Sequence, residues 1–423
     1  MTGRKSLEVS IMLQQDIAIL RSLAYRYYEA AQHPRNAENA KLYRAVNGLR
    51  PIRPVVLLDE IPFHELNYDD LLTLRCEDED LRRVENHLRR TLFQWNHFPG
   101  DMIVPPYVPV HKVVNSTGIG LSIKENIRTV DTRNNIVAHE YIDQLENEKD
   151  LEKLHLPILQ YDKETTMLRF QKVAEAVGDI LPVRLIGESN YMMAWDEIAM
   201  LRGVEPLLYD LVDRPEYTHA IRQRFNEIYE SKITQMEELG LFEREPLTIH
   251  CTPALCDELP GDSYDPAEPV RRQHIWGRGA AQIFSSVGKA MHDEFDIDYA
   301  IETFKGFGLV YYGCCEPLDR KMDIVQRIPN LRKIGVTPWA DADATAEAIG
   351  TKYVFSSKPN PASVAVPHLN EDELRKELGH ILSAVKRHNC ACDITLKDIS
   401  SAGYNLQNLM RWEQIAMEMA KNM

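Results

Sequence analysis

The sequence lacks long apolar runs, and none of its hydrophobic stretches approaches the roughly 20 residues that a helix needs to cross a bilayer. Basic residues are in the minority, because 49 Lys and Arg face 64 Asp and Glu, giving a formal net charge of −15. That balance argues against non-specific nucleic-acid binding, which requires a basic footprint. The first residues contain no apolar signal core, so we expect a cytoplasmic rather than a secreted protein.

Two further features are scarce or missing in the sequence: it has few cysteines, and it has no Gly-rich phosphate-binding loop. The stretch GIGLSIKEN, which starts at Gly118, does not fit the GxGxxG pattern of dinucleotide-binding folds. The number of cysteines, seven, is odd, and their spacing is not that of a secreted disulfide framework, which fits a reducing cytoplasm. They are Cys76, Cys251, Cys256, Cys314, Cys315, Cys390 and Cys392.

The chain has 423 residues, of which 44% are hydrophobic and 27% charged, as in globular proteins with a large core. Residues 1–116 read as an N-terminal, mainly helical extension that packs on the main body and carries one short strand bounded by prolines. Residues 117–423 read as the main body. The wide apolar faces of the first two helices also suit a homodimer contact.

From about Thr165 the chain alternates between strand and helix patterns, which predicts a parallel sheet with crossover helices. The economical architecture is a closed TIM-type (β/α)8 barrel, and a doubly wound open sheet is the alternative. The predicted strands are VRLIGE (183–188), LTIHC (247–251), LVYYGC (309–314), LRKIGV (331–336), KYVFSS (352–357) and CDITLKD (392–398).

In such a barrel the reactive groups gather where strands end, and two of these ends carry metal-binding side chains. His250 and Cys314 end successive predicted strands, which would lie about 5 Å apart if they were neighbours. An imidazole and a thiolate suit Zn²⁺, with Glu316 or Cys315 available to complete the shell. The alternative is that Cys314 only fills space and His250 makes one ordinary hydrogen bond.

Other strand ends offer groups that suit a substrate. Lys358, followed by Asn360 in a proline-rich loop, is placed to bind a carboxylate or phosphate, although a solvated loop lysine fits the pattern equally well. An acidic loop at Asp257 and Glu258 offers a base or a ligand, but the pattern favours a solvated turn. The remaining candidates at strand ends are Glu188, Asn190, Trp339, Lys397 and Asp398.

Several segments together resemble the uroporphyrinogen decarboxylase superfamily. YDLVDRPEYTHAIRQRFNEIYESKITQMEELG is similar to its long helix, and IFSSVGKAMHDEFDIDYAIETFKGFGLVYYGCCEP to the stretch before an active-site strand. SSKPNPASV lies where the family has a Gly-Asn-x-Asp-Pro loop. The resemblance covers roughly residues 165–400 and implies a TIM-type barrel.

The resemblance favours the corrinoid-dependent methyltransferase branch of that superfamily. The chain lacks the Met-Arg-Gln-Ala-Gly-Arg signature of the true decarboxylases. Cys314 matches the cysteine of the branch's zinc-binding His-x-Cys pair, but Tyr312 replaces its histidine, and Lys397 and Asp398 stand where a late cysteine would be. The resemblance therefore implies a rearranged zinc site.

Three functions follow as hypotheses. The first is a zinc-assisted methyltransferase that moves a methyl group from a small methylated compound to a corrinoid held by a partner protein. The second is a metal-independent decarboxylase or lyase whose carboxylated substrate is held by Asn190, Lys358 and Lys397, with Tyr312 or Asp398 handling the proton. The third is a barrel that has lost catalysis and binds a partner.

Overall fold

The computed structural model describes residues 2–129, 137–262 and 264–423, with side chains from residue 13 onward. The strands are β1 (Val55–Leu58), β2 (Val108–His111), β3 (Val114–Ser116), β4 (Glu125–Arg128), β5 (Ala138–Tyr141), β6 (Leu159–Tyr161), β7 (Val183–Ile186), β8 (Trp276–Gly279), β9 (Leu309–Tyr312), β10 (Leu331–Val336), β11 (Val354–Ser357) and β12 (Ala391–Leu396).

The helices alternate with these strands in the second half of the chain. They are α1 (Thr2–Gln32), α2 (Arg35–Asn47), α3 (Glu79–His97), α4 (Lys163–Val177), α5 (Ala194–Arg202), α6 (Val204–Asp213), α7 (Pro215–Glu238), α8 (Lys289–His292), α9 (Asp298–Phe304), α10 (Met322–Val325), α11 (Ala342–Ile349), α12 (Glu371–Arg387) and α13 (Leu406–Lys421). A π-helical turn, Asp293–Ile297, joins α8 to α9. Among the described residues, no helix combines the length and apolarity of a bilayer crossing.

A six-stranded parallel sheet in the order β1-β12-β11-β10-β9-β8 forms the centre of the molecule. The predicted α/β class with a parallel sheet and crossover helices is thereby confirmed. One further parallel bridge, between Met192 and Gly279, continues pairing beyond β8. Closure into an eight-stranded barrel stays a prediction.

The two faces of this sheet differ in chemistry. Because side chains alternate along a strand, every second residue faces the helices and packs in the main apolar core, as Tyr312, Ile334, Phe355 and Ile394 do. The other face carries buried polar side chains. They are Arg278, Tyr311, Lys333, Ser356, Asp393 and Thr395.

The N-terminal segment shares an apolar core with helix α4 and also supplies a strand. Helix α1 packs against α3 around buried Leu20, Tyr27 and Leu88. Strand β1 lies within the stretch that the sequence analysis assigns to the extension, yet it pairs with β12 at all its positions, from Val55 to Leu58. The division of the chain at residue 116 stays a prediction.

One predicted strand is wrong, and one observed strand was not predicted. The stretch LTIHC is a tight turn: Ile249 and Thr252 exchange backbone hydrogen bonds of 3.0 and 3.2 Å, and His250 and Cys251 have φ of 32° and 64°. Positive φ at both central residues defines a turn that a strand pattern cannot reveal. Conversely, β8 has the sequence Trp-Gly-Arg-Gly, whose glycines conceal a strand. VRLIGE does form β7, but it pairs with β2 outside the central sheet.

Candidate active site at the carboxyl edge of the sheet

Cys314 and Cys315 lie in a turn that begins where β9 ends. Gly313 has a φ of 91°, and a Cβ at that position would stand 2.6 Å from Leu318 Cδ1, so the turn requires glycine. Glu316 fixes the turn from below, because its buried carboxyl group accepts hydrogen bonds of 3.0 Å from the backbone amides of Ala281 and Cys314. The turn releases the two cysteines from strand alternation and lets both reach one side.

The Sγ atom of Cys314 is the centre of the site. His250 Nε2 lies 3.2 Å from it, Lys397 Nζ donates to it at 3.1 Å, and the Cys315 thiol donates to it at 3.8 Å. The hydrogen bond from Cys315 lowers the pKa of Cys314, and the contact with His250 and the charge of Arg278 lower it further against the opposing effect of burial. Cys314 is therefore suited to be a thiolate, whether as a nucleophile or as a ligand.

Lys397 and Asp398 follow β12 and continue the cluster towards solvent. Lys397 Nζ also donates to Cys315 Sγ at 3.5 Å and is paired with Asp398. Burial alone would lower the pKa of Lys397, but the neighbouring Cys314, Cys315 and Asp398 raise it. Lys397 thus stays an ammonium group beside the thiolate.

A second group of metal-binding atoms shares the imidazole of His250. Ligand atoms of Glu60, His250 and Cys251 all lie within 4.8 Å of one another. Glu60 also accepts the backbone hydrogen bond of Asp398 at 2.9 Å, which ties the end of β1 to the end of β12. Cys251 is buried, and burial raises the pKa of its thiol. His250 therefore connects two sets of potential ligands, one containing Cys314 and the other Cys251 and Glu60.

A cavity of about 300 Å³ opens beside these groups. Most of the substrate-binding residues predicted from the sequence contribute to its wall: Trp339, Lys358, Asn360 and Lys397, together with Asp398 and the two adjacent cysteines. Lys358 is 3% exposed, so it is not a solvated loop lysine. Trp339 is 70% exposed, and the Asn360 side chain caps a short helix by accepting from Ala362 at 3.0 Å.

The structure places other predicted residues away from this cluster. Tyr312 faces the helices because it alternates with Tyr311, and its hydroxyl donates to Asp296 at 2.5 Å and lies 2.9 Å from His292 Nε2. Glu188 is exposed next to its bridge with Phe242. Both oxygens of Glu316 accept hydrogen bonds from backbone amides, so its carboxyl group serves to hold the turn, and its role as a metal ligand stays a prediction.

Asn190 plays a structural part in the neighbouring strand. Its Nδ2 donates to the carbonyl of Trp276 at 2.7 Å, and its Oδ1 accepts from the amide of Arg278 at 3.3 Å. It thereby holds the backbone of β8 beside the site. Next to Asn190 lie Arg278 and its neighbour Tyr311, and the sequence analysis expected neither of them at the site. The only signal in the sequence was an arginine between two glycines, which is too weak to mark a functional residue.

Comparisons with known proteins identify no family. No family model matches the chain, and no curated protein does. Among solved structures, the chain is similar to a methyltransferase from Methanosarcina mazei, with 12% sequence identity and a TM-score of 0.49, over 90% of this chain and 98% of the other. A likeness at that level carries no argument about activity.

Proposed function

We propose that this protein is a methyltransferase that takes a methyl group from a small methylated compound. Its reaction would be centred on Cys314 and His250 and assisted by zinc. The acceptor would be a corrinoid bound to a separate protein. The proposal rests on one observation: His250 Nε2 lies 3.2 Å from Cys314 Sγ at the rim of a cavity large enough for a small substrate.

The donor atoms around His250 fit zinc. Zinc binds nitrogen at about 2.0–2.1 Å and thiolate sulfur at about 2.3 Å, so tetrahedral N and S ligands stand about 3.5 Å apart. The observed separation between His250 and Cys314 is close to this value. Cys315, Cys251 and Glu60 supply further sulfur and oxygen donors nearby. A zinc ion held there would act as a Lewis acid on the leaving atom of the donor or would stabilise a thiolate.

The protein's own residues have distinct tasks in this scheme. Lys397 donates a hydrogen bond to Cys314 and keeps positive charge beside the sulfur, which favours its ionised form. Glu316 fixes the backbone amide of Cys314 and thereby the direction of the side chain. Trp339, exposed at the cavity wall, provides an aromatic surface near the entrance. The methylated donor would bind in the cavity beside Cys314, and the acceptor protein would approach from the open side of that cavity.

Metal content and methyl transfer test this proposal directly. Protein purified without affinity-tag metals is analysed by elemental mass spectrometry as wild type and as Cys314→Ala. We expect about one equivalent of zinc in wild type and its loss in the variant, because the thiolate is a principal ligand. The control is Cys390→Ala, which removes a buried thiol that contacts the carbonyl of Ala346 remote from His250 and should retain the metal.

Methyl transfer is then measured by adding cob(I)alamin with methoxy, methylamino or methylthio compounds and following formation of methylcobalamin. Activity in wild type and its loss in Cys314→Ala and His250→Ala is the expected result. Folded wild-type protein that contains no zinc and takes up none would contradict the metal assignment. Zinc-loaded protein that transfers no methyl group from any of these donors would contradict the methyltransferase assignment.

A further inference from the structure

Arg278 is a buried cation whose guanidinium group is paired with no carboxylate among the described residues. The residue is 1% exposed, and within the described part of the chain it forms no ion pair. Its Nη1 donates to the carbonyl of Gly279, and its Cζ lies 4.2 Å above the ring of Tyr311. Its Nε and Nη2 atoms have no hydrogen-bond partner. Buried charges in proteins are normally paired, so these free donors require an explanation.

The free donors form one edge of the guanidinium group. Nε and Nη2 point in the same direction and together make the fork that binds both oxygens of a carboxylate. The hydroxyl of Tyr311, on the adjacent strand, is likewise buried and has no partner. Three donors without acceptors therefore belong to two side chains that contact each other, and no described side chain satisfies them.

The nearby carboxylates are already engaged. Asp393 lies 3.1 Å from Lys333 Nζ and 3.8 Å from Lys358 Nζ, so a single carboxylate serves two buried lysines. Glu316 accepts from two backbone amides. Arg278 is thus left without a carboxylate partner, and its free donors can bind the oxygens of an anion.

The backbone of Arg278 is also fixed by hydrogen bonds. Asn190 accepts from the Arg278 amide at 3.3 Å and donates to the carbonyl two residues earlier, at Trp276. Lys358, which lines the cavity, lies with its Nζ 5.9 Å from the centre of the same Tyr311 ring. The guanidinium group is therefore held on a strand, and the Tyr311 ring that it contacts is also approached by the cavity-lining Lys358, so it does not depend on a mobile loop.

We propose that Arg278 and the Tyr311 hydroxyl bind the carboxylate of the substrate, with Lys358 as the neighbouring cation. This inference deepens the proposed function, on which it rests for the reaction, by assigning the methyl donor to methylated carboxylic acids. The carboxylate would bind at the guanidinium edge, and the methyl-bearing end would extend towards Cys314. A neutral donor of the same size would leave the three buried donors unpaired.

Binding of carboxylates and of their neutral amides tests the site without requiring any turnover. Methoxyacetate and 3-methoxypropionate are titrated into the full-length protein by ligand-observed NMR, in parallel with methoxyacetamide and 3-methoxypropionamide. We expect the acids to bind more tightly than the amides by about ten- to hundredfold, because only the acids make charge-assisted bonds to Arg278. Equal binding of acids and amides overturns the inference.

Two variants separate binding from a merely structural role. Tyr311→Phe removes only a hydroxyl that has no partner, so it should fold normally and weaken binding of the acids by about tenfold. Arg278→Met removes an unpaired buried charge, so it should abolish the preference for acids over amides without lowering the melting temperature. A large drop in melting temperature for Arg278→Met, together with unchanged acid binding in Tyr311→Phe, would show that Arg278 is structural.

These results are independent of the proposed chemistry. Acid binding that depends on Arg278 in a protein without methyl transfer would support the carboxylate site and contradict the methyltransferase. Methyl transfer from neutral donors, with no preference for acids in wild type, would support the methyltransferase and contradict the site.

Discussion

Lys397 donates a hydrogen bond from Nζ to the Sγ atom of Cys314 at 3.1 Å, in a position where the lysine is 3% exposed. The two residues follow different strands, β12 and β9, and meet at the carboxyl edge of the central sheet. A buried ammonium group in contact with sulfur stabilises the thiolate more than water does. The reactivity of Cys314 is the most direct readout of this contact.

We expect Cys314 to react as a thiolate below neutral pH. Its pKa is lowered, so its ionised fraction stays nearly constant between pH 6 and 8, whereas an ordinary thiol becomes about tenfold more reactive with each pH unit. Lys397→Met removes one of several groups that lower the pKa of Cys314, so the rate at pH 6 should fall relative to the rate at pH 8, by less than the roughly tenfold per pH unit of an ordinary thiol. The rate is measured on chelator-treated protein with iodoacetamide, and mass spectrometry locates the modified cysteine.

The matched control is Lys386→Met, which removes an exposed lysine bonded to the backbone carbonyl of Met423. It should leave the Cys314 rate unchanged. Cys76 is an internal reference, since burial raises the pKa of its thiol and it should resist modification in folded protein. If the wild-type rate at Cys314 rose tenfold for each pH unit, Cys314 would be an ordinary thiol.

Much of the sheet could be predicted from the sequence, because β9 to β12 carry continuous apolar or alternating patterns between helical ones. Strand β8 could not. Its glycines, Gly277 and Gly279, face Phe304 of helix α9, where a Cβ would stand 2.8 and 2.4 Å from the ring. Glycine is therefore required at these two positions of the strand because the Phe304 ring occupies the space that their side chains would fill. That requirement comes from tertiary packing and not from a local sequence pattern.

Gly279→Ala should accordingly destabilise the protein. The new methyl group would clash with Phe304 and come within 3.1 Å of the Met192 carbonyl, at a cost of about 1–3 kcal/mol for overpacking. Phe304→Leu in the same chain should restore part of this loss by making space. Urea unfolding measures both. Gly288→Ala is the control, since nothing lies within 4 Å of its added Cβ, and a similar loss there would rule out the packing explanation.

The sequence indicated which chain segments meet at the candidate site, but it did not indicate the direction of every side chain. His250 and Cys314 were expected to converge from successive strands, and they lie in contact although β8 comes between them in the chain. His250 reaches Cys314 from a turn with positive φ instead of a strand. The face of the sheet on which Tyr312 lies depends on the register of β9. A shift of the register by one residue would exchange Tyr311 and Tyr312 between the two faces.

Tyr312→Phe should therefore affect stability and leave zinc content and methyl transfer intact. The hydroxyl is bonded to the buried carboxyl of Asp296, and its loss leaves that group short of a donor, which costs about 1–3 kcal/mol. Unfolding in urea and metal analysis of the same preparation provide the comparison. Loss of metal or of methyl transfer at unchanged stability would return Tyr312 to the active site.

Lys333 and Lys358 share the carboxylate of Asp393, and their unequal distances to it predict unequal roles. Lys333 Nζ lies 3.1 Å from Asp393 Oδ2, and both side chains are fully buried. Removing one partner of such a pair costs about 3–5 kcal/mol, so Lys333→Met should be strongly destabilising. Lys358 Nζ is 3.8 Å from Asp393 and donates instead to the Cys251 carbonyl at 2.7 Å and to Ser356 at 3.0 Å.

Lys358→Met should cost less, about 1–2 kcal/mol, because the lysine gives up neutral hydrogen bonds and only a weaker ion pair. Chemical denaturation of the two variants, which replace equally buried lysines by the same residue, makes the comparison direct. The difference matters for the substrate, since a lysine whose charge is not fully used by Asp393 retains attraction for a bound anion. Equal destabilisation by the two substitutions would mean that Asp393 neutralises both lysines alike, and Lys358 would then have no charge to offer a carboxylate beside Arg278.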